Sequence, residues 1–158
     1  MWKKLVLIPF LTLIISCSSP YTLLQRADKL VQDKKYDDAI AVYREHINFR
    51  LNTPNRPEWE NPYFHLLQIG DLQLMQGKIA EALATYEAAE KNGVDELNVS
   101  DRYRNVASVY EREGKLEAAL EVLTKYRDRD PFLYDLVRDR IAKKLVQQEE
   151  LNEKAAHR

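Results

Sequence analysis

The stretch LEAALEVL, residues 116–123, decides the fold when it is set beside YDDAIAVY (36–43) and IAEALATY (79–86). Each carries alanine at its fourth position, Ala39, Ala82 and Ala119, and a bulky side chain one helical turn later, Tyr43, Tyr86 and Leu123. Working backwards, a second small residue precedes each alanine at a constant distance: Ala27, Gly70 and Ala107. A large apolar residue stands one turn before that, at Leu23, Leu66 and Tyr103. Between the two small positions lie Lys34, Gly77 and Gly114, where the chain must turn. Small residues on consecutive helices let the axes approach closely, and the bulky ones a turn away fill the remaining space. Each segment therefore reads as an antiparallel helix pair. One pair cannot cover its own apolar face, so neighbouring pairs must stack. The periodicity is helical from Tyr21 onward, and strand-like alternation is absent.

This arrangement resembles the tetratricopeptide repeat, a helix pair of about 34 residues stacked into a curved solenoid. The third copy matches best, with Ala107, Tyr110, Gly114, Ala119 and a closing Pro131. The spacing from Ala39 to Ala82 to Ala119 is wider than that of the family. Lys34 replaces the turn glycine, and His46 and Tyr126 stand where the family keeps a small residue that only Ala89 supplies. The resemblance implies an all-α fold, a short α-solenoid of about three such pairs over residues 21–131, at roughly 21–53, 62–95 and 100–131. A capping helix and polar tail follow in 132–158.

The extra length is assigned to two loops. LNTPNRPEWENP (51–62) ends in Asn61-Pro62, an N-cap followed by a first-turn proline. KNGVDELNVS (91–100) closes the second copy at Asn92-Gly93 and offers Ser100 as the next N-cap. Beyond Pro131, residues Leu133, Leu136, Val137, Ile141 and Leu145 are read as one apolar face. QQEELNEKAAHR (147–158) is expected to fray.

The N-terminus reads differently. Lys3 and Lys4 precede the apolar run LVLIPFLTLII (5–15), which is too short to cross about 30 Å of hydrocarbon and suits the apolar region of a signal peptide. Ser16 and the chain's one cysteine, Cys17, close it. IISC (14–17) resembles a bacterial lipobox. That resemblance implies a signal peptide of 1–16, cleavage before Cys17, and a lipidated, acylated terminus on a short tether of 17–20. An ordinary secretory signal or a retained hydrophobic anchor are the alternatives. Ser18 after the cysteine, where enterobacterial lipoproteins use Asp for inner-membrane retention, implies the outer membrane, facing the periplasm.

The formal net charge of −1 offers no basic face, so no nucleic acid is expected. A lone cysteine allows no internal disulfide. No nucleophile–base pair, metal-ligand cluster or phosphate-binding loop emerges; His46 and His65 look isolated, and neither a cofactor nor an enzymatic activity is expected.

The informative positions lie one residue past the packing positions of each first helix: Leu24, Asp28 and Val31; Leu67, Asp71 and Leu74; Arg104, Ser108 and Glu111. In the resembled family that stripe lines a concave groove that holds peptide segments. The stripe is either such a groove or is covered by the array's own packing. Trp59 and Tyr63 form a second candidate surface, with Trp59 expected to fold back onto its repeats. The resemblance implies a membrane-anchored adaptor for a protein or peptide partner in envelope, pilus or secretion complex assembly. A small-ligand-binding lipoprotein paired with a solute transport system is the alternative.

Overall fold

A computed structural model describes residues 20–157. The apolar leader, Cys17 and residues 18–19 lie outside the described residues. Seven α-helices follow in order: α1 Pro20–Gln32, α2 Tyr36–Leu51, α3 His65–Met75, α4 Ile79–Lys91, α5 Glu96–Arg112, α6 Leu116–Lys125 and α7 Pro131–Ala156. Among the described residues there is no strand. Short 3-10 turns at Pro62–Phe64 and Arg127–Arg129 lead into α3 and α7.

The helices start and stop where local chemistry dictates. Acidic residues sit in the first turns of α2, α4 and α6, and basic ones in the last turns of α1, α2, α4, α5 and α6, each favourable to the helix dipole. The turns inside the three pairs share one geometry. Lys35, Lys78 and Lys115 donate their backbone N–H to Leu30, Gln73 and Tyr110 carbonyls at 2.8, 2.9 and 2.9 Å. The residue before each has positive φ: Lys34 at 57°, Gly77 at 74° and Gly114 at 73°. This is the Schellman closure, and Lys34 adopts it without glycine's freedom.

Consecutive helices are antiparallel neighbours, α1 on α2, α2 on α3 and onward to α6 on α7. The predicted small and bulky positions meet as the spacing requires. Ala27, Ala39, Ala82, Ala107, Ala119 and the ring of Tyr86 are fully buried. Gly70 lies under the Tyr86 ring so closely that an added Cβ would stand 2.3 Å from it. One apolar cluster joins α1, α2 and α3 around Leu23, Tyr43 and Leu72; a second runs from Leu67 to Ile141 through α3–α7. Leu66 and Tyr63 touch both.

The structure corrects four expectations. The helix of the third copy is capped by Asp95, whose carboxylate accepts from Leu97 and Asn98 N–H, and Ser100 is buried inside it. The extra length of that copy is therefore added helix rather than loop. On α7 the covered face is Tyr134, Val137, Ile141 and Leu145, whereas Leu133 and Leu136 are exposed. The tyrosine, absent from the predicted stripe, shifts the face because its hydroxyl donates to the Ser100 carbonyl at 2.9 Å. The tail continues as exposed helix through Ala156 instead of fraying. Trp59 is 85% exposed and does not fold back.

Candidate functional site

The stripe expected to line a groove starts from the same helices, but packing divides it. Leu67 and Leu74 lie in the core, so they present no groove surface. Leu24 and Val31 are half-buried against the first apolar cluster. The acidic positions are held by tyrosines from the partner helix of their own pair. Tyr43 donates to Asp28 at 3.3 Å and Tyr86 to Asp71 at 2.8 Å. Burial, followed by the nearby Asp28 charge, pushes the Tyr43 phenol up to about 12, and burial with Asp71 drives Tyr86 higher still. In the third copy both members change together: Leu123 has no hydroxyl, and Ser108 replaces the acceptor and donates to the Arg104 carbonyl.

The charged positions of the third copy are also engaged. Arg104 reaches Asp101 at 2.8 Å and Asp130 at 3.3 Å, with its guanidinium over the Tyr134 ring. Glu111 accepts from Arg140 and Lys144 of α7, and these hydrogen bonds hold its carboxyl below the usual range. Helix α7 thus packs where the first helix of a further repeat would stand, and it closes the groove at that end.

What stays open is a polar crevice of about 440 Å³ between α3, α5 and α7, lined by Asp71, Asp101, Arg102, Arg104, Asn105, Ser108 and Val137. Arg102, which the periodicity did not single out, donates to Asp71 at 3.3 Å and leaves its Nε without a hydrogen bond. Only its place beside Tyr103 hinted at a role on this face. Asn105 and Asp101 are exposed. Chemically the crevice offers carboxylates, guanidinium groups and an amide side by side, suited to the backbone amides and charged side chains of a peptide.

A second crevice of about 440 Å³ lies between the proline-rich loop and the α4–α5 turn, lined by Trp59, Glu60, Asn61, Phe64, His65, Gly93, Val94 and Asp95. Asn61 holds the two loops together by donating to the Asn92 carbonyl at 3.0 Å. Tyr63, half-buried, packs inward against both apolar clusters rather than lining this surface. The histidines are not isolated. His46 and His65 meet edge to face at 4.6 Å, and burial first, then His46, keeps the His65 imidazole below its ordinary value. Among the described residues no group of three or more metal-ligating side chains comes together.

Residues 67–133 match a family model described as "Tetratricopeptide repeat". The solved structures include a tetratricopeptide repeat protein from Parabacteroides merdae with a TM-score of 0.53 and 21% identity, covering 80% of this chain. The match takes in 46% of that protein, so this chain spans about half its length. No curated protein matches the sequence. The matched segment begins after the first pair, the copy in which Lys34 and His46 depart from the family pattern. The chain is thus an all-α solenoid whose residues 67–133 are similar to tetratricopeptide repeats.

Proposed function

We propose that the protein is an adaptor, lipid-anchored at Cys17 in the outer membrane and facing the periplasm, that holds a protein or peptide segment during assembly of an envelope, pilus or secretion complex. The anchor rests on the lipobox-like IISC (14–17) and on Ser18. One observation carries the binding reading: an open polar crevice remains in which Asn105 and the Arg104-bound Asp101 are exposed, while Asp71 is tied down by Tyr86 and Arg102. A small-ligand carrier would need an enclosed cavity, and both crevices described above open to solvent.

Two measurements test the proposal. A photocrosslinking side chain placed at Asn105 should capture a defined envelope protein in cells, and one placed at Glu45, exposed on α2, which contributes nothing to the crevice, should not. Equal capture from both positions would remove the groove reading. A long flexible linker inserted after Pro20 should impair function, since the short tether confines the partner to the membrane. Full function with the domain freed from the surface would remove the anchoring part.

A further inference from the structure

The antiparallel order gives the array two edges of opposite chemistry. One edge gathers the turns inside the pairs, at 33–35, 76–78 and 113–115. Its exposed side chains are mostly polar, with Lys34, Lys35 and Lys115 foremost; among the described residues the large apolar side chains exposed toward it are the aliphatic Met75 and, where α7 runs past the turns, Val146 and Leu151, with no aromatic among them. The other edge gathers the start of α1, the end of α2, the proline-rich loop, the α4–α5 turn and the start of α7. Here the exposed large apolar side chains accumulate: Tyr21 at 72%, Phe49, Trp59 at 85%, Phe64, Leu97 and Phe132 at 78%. They come from every repeat, so the accumulation belongs to the edge and not to one loop. Singly exposed apolar residues are ordinary, but a row of aromatics along one edge marks a surface that meets something.

We propose that this edge rests in the interfacial zone of a lipid bilayer, resting on the anchoring reading given above. Two observations select lipid. The chain enters α1 at this same edge, and in the anchoring reading only residues 18–19 separate Pro20 from the lipidated Cys17, a reach of about 10 Å. A membrane-bound N-terminus therefore holds this edge, rather than the lysine-bearing one, toward the bilayer. The side chains are also of the right kind, because tryptophan and tyrosine, with apolar rings and a polar handle, settle at the headgroup level. Charge does not provide the attraction. Exposed Glu58, Asp95 and Glu96 lie on this edge, and Arg50 is taken up by Glu60. The seating follows from buried apolar area and needs no anionic lipid.

Single-tryptophan variants of the full chain, purified from membranes and reconstituted into phosphatidylcholine vesicles containing acyl-chain-brominated lipid, test this. Trp2→Phe leaves Trp59 as the one fluorophore. Phe132→Trp and Met75→Trp, each made with Trp2→Phe and Trp59→Phe, report the far end of the same edge and the opposite edge. Trp59 and the probe at 132 should shift to the blue and lose most of their emission to bromine, while the probe at 75 should keep its emission. Protein that floats with the vesicles but leaves both edge probes emitting as in water overturns the proposal and leaves the anchor standing; the edge would then belong to a protein partner. Protein that fails to float overturns the anchoring reading and this proposal together.

Discussion

At Gly70 the second repeat has no space for a methyl group, because the Tyr86 ring would stand 2.3 Å from the new Cβ. Gly70→Ala gains about 1 kcal/mol of helix propensity. It must also displace a fully buried ring whose hydroxyl is fixed on Asp71, and overpacking of this kind costs about 1–3 kcal/mol. The net expectation is destabilisation in urea. Tyr86→Leu, which reproduces the Ala107/Leu123 pairing of the third repeat, should make the alanine less harmful than it is alone. Additive losses in that double-mutant cycle would show that the contact with Tyr86 is not the cause. Lys34 presents the opposite case. It holds φ at 57° where Gly77 and Gly114 perform the same closure, and a left-handed conformation costs a non-glycine residue about 1–2 kcal/mol. Part of that gain is offset by glycine's greater freedom in the unfolded chain. Lys34→Gly should therefore raise the melting temperature slightly, while glycine at Lys35, outside that conformation, should not.

Helix α7 is held to the third repeat by apolar contacts of Tyr134 and Ile141 and by the clasp of Arg140 and Lys144 on Glu111. Solvent screens part of the clasp, since Arg140 and Lys144 are half exposed, while the Glu111 side chain is 11% exposed. Its folded-state acidity is displaced downward from an ordinary value near 4.5, chiefly by the Arg140 hydrogen bond. A carboxyl depressed on folding contributes its stability fully above the ordinary value and loses it as the pH falls through the lower folded value. Thermal stability should accordingly drop on acidification below about pH 4.5, and Glu111→Gln should flatten that part of the profile while lowering stability at pH 7. An unchanged acid slope in the variant would assign the effect to other carboxylates, such as Asp135 and Glu87, whose acidities are lowered in the same direction.

On the scale of the whole molecule, the repeat was legible because its signal is a spacing. Ala39, Ala82 and Ala119 are each buried against their partner helix, and all three turns close alike. The groove was less legible, since one residue past a packing position does not state how much of a helix its neighbours cover. Leu67 and Leu74 fell inside the array and Leu24 and Val31 only partly outside it, because the second pair has packed neighbours on both sides and the first on one. The hydroxyl of Tyr134 displaced the face assigned to α7, and the Asp95 cap lengthened α5; both are polar contacts that hydrophobic periodicity does not register. The resulting array is close to one-dimensional, each pair supported by its neighbours alone. The final helix is therefore needed by the third repeat but not along its whole length. Ending the chain after Val146 removes a segment whose described residues, 147–157, are all exposed, and its stability should stay within about 0.5 kcal/mol of the full chain in chemical denaturation. Ending it after Asp130 uncovers the side of the core that Tyr134 and Ile141 close, next to Leu123 and Tyr126. That chain should lose hydrogen-exchange protection first in α6 and the end of α5, with α1 and α2 affected least. Uniform loss along the array would instead show a single cooperative unit, with the cap supporting the first pair as strongly as the third.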